Sequence, residues 1–126
     1  MRVMFAAILI VMPAAVAAQS MNAQEFHARA TALQKKGPLA LFSRGEIEAL
    51  MKEGQAAGKK AGEQRRADIK AGRKPRFCPP GPDGSMSSDE FMRLLSAIPK
   101  AQRARINMTE ASTRILASKY PCGRSG

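Results

Sequence analysis

The sequence predicts an all-α fold: a small bundle of about four helices, with one disulfide closing its C-terminal hairpin. Three observations point there. Period-two alternation of β-branched and aromatic residues never lasts more than a few positions, so strand signals are nearly absent. Four times a cap residue is followed three places later by glutamate: Asn22…Glu25, Ser43…Glu46, Ser87…Glu90 and Asn107…Glu110. Each pair matches the capping-box spacing, or its asparagine analogue, and each precedes an apolar-periodic stretch. Finally, the chain has two cysteines, Cys78 and Cys122, each beside proline at the edge of a helix-like stretch.

The first element is a leader. Arg2 supplies a positive charge, Val3–Met12 is an unbroken apolar run, Pro13 ends it, and Ala15-Val16-Ala17 and Val16-Ala17-Ala18 both fit a small-residue cleavage pattern. This is the layout of a secretory signal peptide over residues 1–18. A membrane-spanning helix needs about 20 apolar residues, and this run is shorter. No cysteine follows it for a lipid anchor. Cleavage leaves about 108 residues, enough for one domain spanning 19–126. Arg2 departs with the leader, so the formal charge falls from +11 to +10. The expected destination is the periplasm or the exterior. Two thiols in an exported protein are expected to form one disulfide, Cys78–Cys122. A metal site there lacks ligands, because His27 is the sole histidine and no C-x-x-C pair exists.

Helix one is expected from Ala23 to Lys36, with Phe26, Ala30 and Leu33 on one face and Gly37-Pro38 as the stop. The apolar connector "PLALF" follows. Ser43 then opens a long helix reaching Ala71, with Ile47, Leu50 and Met51 inside. Gly54, Gly58 and Gly62 repeat every four residues along it. Each glycine costs about 1 kcal/mol against alanine in a helix interior, so close packing of a neighbouring helix is expected at this stripe. The helix ends in a basic stretch. Lys59, Lys60, Arg65, Arg66, Lys70, Arg73, Lys74 and Arg76 stand against two acids in eighteen residues, and Arg65 and Arg66 are expected to be solvent-exposed. Residues 22–76 thus hold the N-terminal helices and residues 77–122 the C-terminal hairpin. Phe77-Cys78-Pro79-Pro80-Gly81-Pro82-Asp83-Gly84 is expected to run extended and then turn. The third helix is expected over Ser88–Ala97, with Phe91, Leu94, Leu95 and Ile98 inward. Pro99 starts a turn through Arg105. The last helix is expected over Met108–Lys119, with Ala111, Ile115 and Leu116 inward, ending at Tyr120-Pro121-Cys122. About twenty large apolar residues remain after cleavage, a small core that benefits from a covalent staple.

Chemistry is sparse. With the cysteines bridged, no nucleophile–base–acid set can be assembled. No phosphate loop is present, and no cofactor or metal is expected. The chain reads as non-enzymatic, a protein that acts by binding. The basic stretch suits an anionic protein surface or an anionic envelope surface of lipid or cell-wall polymer. Nucleic acid is disfavoured by export and by the shortage of aromatics for base stacking. Asn107-Met108-Thr109 matches a glycosylation sequon, but Asn107 is better explained as a helix cap.

The segment "FCPPGPDGSMSSDEFMRLLSAIPKAQRARINMTEASTRILASKYPC" resembles the signature region of the Rap/Tai immunity-protein family. The resemblance rests on Phe77, Cys78, Pro80, Phe91, Leu94, Leu95, Pro99, Ala111, Leu116, Tyr120, Pro121 and Cys122. It covers residues 77–122, under half of the mature chain. It implies a small periplasmic all-helical protein that blocks a peptidoglycan-cleaving amidase toxin delivered by type VI secretion. It also implies a bridge between the matching cysteines and often a homodimer. The N-terminal half departs from the family pattern: the glycine stripe stands without the usual aromatic and is followed by the basic extension. The alternative expectation is an envelope-associated structural protein that binds anionic lipid or wall polymer through the basic helix.

Overall fold

The computed structural model describes residues 20–81 and 86–123. The expected leader over residues 1–18 and the turn at Asp83-Gly84 lie outside the described residues. The described chain is helical, in the order α1 (Ala23–Lys35), a 3₁₀ turn (Gly37–Ser43), α2 (Arg44–Lys70), α3 (Ser88–Ala97), α4 (Lys100–Arg103) and α5 (Met108–Lys119). The expected Pro99 turn is thus a single helical turn, α4.

Three of the four expected caps form. The Asn22 side-chain Oδ1 accepts from the N–H groups of Gln24 and Glu25 at 2.9 and 3.2 Å. Ser87 accepts from Glu90 N–H at 3.1 Å, and Asn107 from Glu110 N–H at 2.9 Å. Each bond satisfies an orphan donor of a first helical turn. Ser43 is the exception. It makes no cap bond, and its hydroxyl instead accepts from Lys36 Nζ at 3.1 Å. The chain enters α2 directly from the 3₁₀ turn, so little unwound backbone is left for a side chain to cap. Gly37 and Gly72 end α1 and α2 with φ of 54° and 76°, the left-handed geometry that glycine adopts without strain.

The starts of α1 and α5 lie side by side. Ala23 N–H donates to Ile106 C=O at 2.9 Å, and Met108 N–H donates to Met21 C=O at 2.7 Å. Asn22 and Asn107 form an isolated antiparallel bridge, and Asn22 Nδ2 also donates to Ala104 C=O at 2.9 Å. This pairing sets α5 into the middle of the fold. It packs most extensively on α2, then on α3, and also touches α1. Met108, Ala111, Ser112, Thr113 and Ile115 are all buried on α5, facing a core that includes Phe26, Leu50, Ala57 and Leu95. Small residues on α5 match small residues on α2, which lets the two helices approach.

That match corrects the expectation for the glycine stripe. The buried α2 positions are Leu50, Ala57 and Ala61. A Cβ on Gly54 would touch the Phe26 ring of α1 at 3.9 Å, one on Gly62 would meet only Arg66 of its own helix at 3.6 Å, and one on Gly58 would meet nothing within 4 Å. Among the described residues, no neighbouring helix comes within 4 Å of a Cβ at Gly58 or Gly62. A four-residue repeat rotates about 40° per step around a helix, so the stripe drifts away from the buried face after Gly54, and Ala57 and Ala61 occupy that face.

Cys78 and Cys122 are bridged, with Cα atoms 4.7 Å apart and a separation of 44 positions in sequence. Cys78 N–H also donates to Tyr120 C=O at 2.9 Å. The bridge closes the α3–α5 segment and pins the chain leaving α2 to the end of α5.

One buried charge holds the α3–α4 corner. Arg103 is 7% exposed. Its Nε donates to Gln24 Oε1 at 2.8 Å, and one terminal nitrogen donates to the carbonyls of Ile98 and Ser96 at 2.6 and 3.2 Å. These carbonyls end α3, where unpaired acceptors and the helix dipole favour a cation.

Candidate partner-binding surface

The basic stretch divides when folded. Arg73 pairs with Asp68 at 3.0 Å. Arg76 donates two bonds to the carboxylate of Glu110, at 2.6 and 2.8 Å, tying the segment after α2 to the first turn of α5. Arg114 adds a third bond to Glu110 at 3.1 Å. The Glu110 carboxyl is held below its ordinary range, chiefly by the bond from Arg76. Arg65 corrects the expectation of exposure. It is half-buried, its Nε donates to Phe77 C=O at 2.9 Å, and its guanidinium lies 5.8 Å from the Phe77 ring centroid. Lys59, Arg66, Lys70 and Lys74 are exposed, and Lys60 is half-buried. Arg65, Arg73 and Arg76 are therefore engaged by other groups of the fold, although Arg73 and Arg76 are exposed, as are Lys59, Arg66, Lys70 and Lys74.

Arg65 and Arg66 border a cavity of about 580 Å³. Gly58 and Gly62 contribute bare backbone to it, and Phe77, Leu116 and Tyr120 contribute apolar wall. Among the described residues, no acidic side chain lines it. Phe77 precedes Cys78 and Tyr120 lies two residues before Cys122, so the cavity sits beside the disulfide. The fold thus joins features that are distant in sequence: the open glycines, two cations of the basic helix and the bridged edge of the hairpin. Such a surface is suited to a carboxylate flanked by apolar groups, because a guanidinium meets a carboxylate with two parallel bonds.

A second concavity, of about 510 Å³, lies between α1, α2 and α3 and is lined by Phe26, Leu33, Ile47, Met51, Phe91 and Met92. The sequence places Ile47, Met51 and Phe91 on inner faces, and here they are only partly covered: Met51 is 55% exposed. Periodicity shows which face is apolar, but not whether neighbouring helices close over it.

His27 lies 2.9 Å from Ser96 Oγ through Nε2. The spacing is that of a nucleophile and its base, but partial burial and, to a lesser extent, Arg103 lower the imidazole's pKa. The nearby cation opposes the imidazolium that proton transfer from serine would create. Among the described residues, no group of three His, Cys, Asp or Glu side chains could hold a metal ion. No described helix is long and apolar enough to cross a membrane. The chain matches no protein-family model, no curated protein and no solved structure.

Proposed function

We propose that this is an exported, non-enzymatic binding protein: an immunity-type inhibitor that occludes a peptidoglycan amidase toxin in the periplasm. The observation that carries the reading is the cationic cavity beside the disulfide. It is concave, lined by two arginines and no acid among the described residues, and built on a helix and a covalently pinned segment, so little ordering cost attends binding. The resemblance of residues 77–122 to the Rap/Tai immunity proteins supplies the class of partner. In this reading an acidic, partly apolar loop of the toxin enters the cavity. Arg66 and the outer edge of Arg65 take its carboxylate, while Phe77, Leu116 and Tyr120 receive its apolar atoms. Charge speeds the encounter and selects the partner, and desolvated contacts set the lifetime.

The test is inhibition of a secreted peptidoglycan amidase encoded beside this protein, measured by release of peptide from purified cell wall at about 0.3 M salt. The Debye length is then about 6 Å, which weakens simple polyanion adsorption. Stoichiometric inhibition is expected. Arg66→Glu should slow association, and with an acidic partner it should also reduce the salt dependence. An amidase that remains fully active with excess inhibitor present, and shows no complex by size-exclusion chromatography, would sink the proposal.

A further inference from the structure

The turn between α1 and α2 carries the most exposed large apolar side chains among the described residues. Leu39 is 65% exposed, Leu41 68% and Phe42 89%. No residue of Gly37–Ser43 is buried, so the turn projects from the bundle rather than packing on it. Single exposed apolar residues are ordinary, but three within four positions form a patch whose hydration is unfavourable and unrelieved by the fold.

The surroundings of the patch narrow what could cover it. The local sequence is "QKKGPLALFSR", with exposed Lys35, Lys36 and Arg44 around the apolar crown and no acid from Gln34 to Arg44. Glu46, the first acid beyond, is engaged by Arg29 at 2.6 Å. The turn is also built in advance. Gly37 takes φ of 54°, Leu39 N–H donates to Lys36 C=O at 3.1 Å, and Lys36 Nζ reaches Ser43 Oγ at 3.1 Å across the base. A projecting apolar crown with a cationic collar matches the two attractions of an anionic bilayer: acyl chains accept the crown, and lipid phosphates accept the collar. The basic end of α2 lacks this combination, because the only large exposed apolar residue there is Ile69, at 48%.

We propose that the Gly37–Ser43 turn is an anionic-membrane contact. Leu39, Leu41 and Phe42 enter the boundary between headgroups and acyl chains, and Lys35, Lys36 and Arg44 bind lipid phosphate. The contact uses no residue of the cationic cavity, so it stands whether or not the chain inhibits an amidase.

The chain contains no tryptophan and one tyrosine, so Phe42→Trp places the sole tryptophan at the crown, and excitation selective for tryptophan reports on that position alone. The probe is vesicles of equal parts phosphatidylcholine and phosphatidylglycerol, compared with pure phosphatidylcholine. The expected result is blue-shifted emission with the anionic vesicles and quenching by brominated acyl chains, while Ile69→Trp shows neither. Leu39→Ser with Leu41→Ser in the Phe42→Trp background should weaken vesicle binding on the order of tenfold. Lys35→Gln with Lys36→Gln should remove the preference for phosphatidylglycerol. Circular dichroism melts unchanged by these surface variants would assign the losses to the contact rather than to the fold. Unchanged emission in the presence of vesicles overturns the proposal, whether or not the chain sediments with them. A shift without lipid that grows with protein concentration also overturns it, and assigns the crown to a second copy. So does a shift that appears only when a protein partner is added.

Discussion

Gly58 shows how a residue can reverse its meaning on folding. In sequence, a glycine in mid-helix suggests that another helix comes close. In the structure, a Cβ there would meet nothing within 4 Å. Gly58→Ala should therefore stabilise the protein by about 0.5–1 kcal/mol through helix propensity alone. A urea titration checks this, and a lower midpoint would restore the packing interpretation. His27 makes a pH-dependent case at the same scale. Burial first, and then the charge of Arg103, lower its pKa from 6.5. The unfolded chain thus takes up the proton at a higher pH than the folded one. His27's contribution is fully present above 6.5 and is lost as pH falls from there through the folded value. His27→Gln should flatten the stability profile between neutral pH and pH ~5, compared in thermal melts at matched ionic strength. An unchanged slope would place the titration elsewhere.

Helix termini supply the element-scale argument. Ser43 and Ser87 both stand three residues before a glutamate, but only Ser87 caps, accepting from Glu90 N–H at 3.1 Å. Ser87→Ala should cost about 1 kcal/mol, while Ser43→Ala should stay within about 0.5 kcal/mol of wild type. Asn22→Ala should cost more than either. It removes two cap bonds and also the bond to Ala104 C=O at 2.9 Å that holds α1 beside the start of α5. Chemical denaturation of the three variants under one condition gives the ordering, and equal costs at Ser43 and Ser87 would contradict it. The glutamates of these motifs have work beyond the cap spacing. Glu46 pairs with Arg29 at 2.6 Å, Glu90 with Lys119 at 2.8 Å, and Glu110 with Arg76 at 2.6 Å.

For the whole molecule, the disulfide is the largest single constraint. Closing a loop of about 45 residues is worth roughly 4 kcal/mol in the chain-entropy model, a large share of a typical total of about 5–15 kcal/mol. Reduction, or Cys78→Ser with Cys122→Ser, should lower the melting temperature by well over 10 °C. Scanning calorimetry with and without reductant decides it, and a shift of only a degree or two would show that the bundle holds without its staple. The loss should fall on the cavity as well, because Phe77 and Tyr120 border both the bridge and the cavity.

The sequence alone determined the all-α class, the boundaries of α1, α2, α3 and α5 to within a residue or so, and the sole cysteine pair. These are set by signals local in the chain: cap residues, apolar periodicity, and glycine or proline stops. Tertiary structure decided what local signals do not encode. It paired the starts of α1 and α5, which made α5 the central helix, and it gave the close seam with α2 to Ala57 and Ala61 rather than to Gly58 and Gly62. It also gave Arg65, Arg73 and Arg76 of one charge run partners elsewhere in the fold, and left Leu39, Leu41 and Phe42 in water. The physical reason is common to all of these. A side chain's neighbours depend on how helices dock, and docking is fixed by contacts between residues such as Arg76 and Glu110, 34 positions apart.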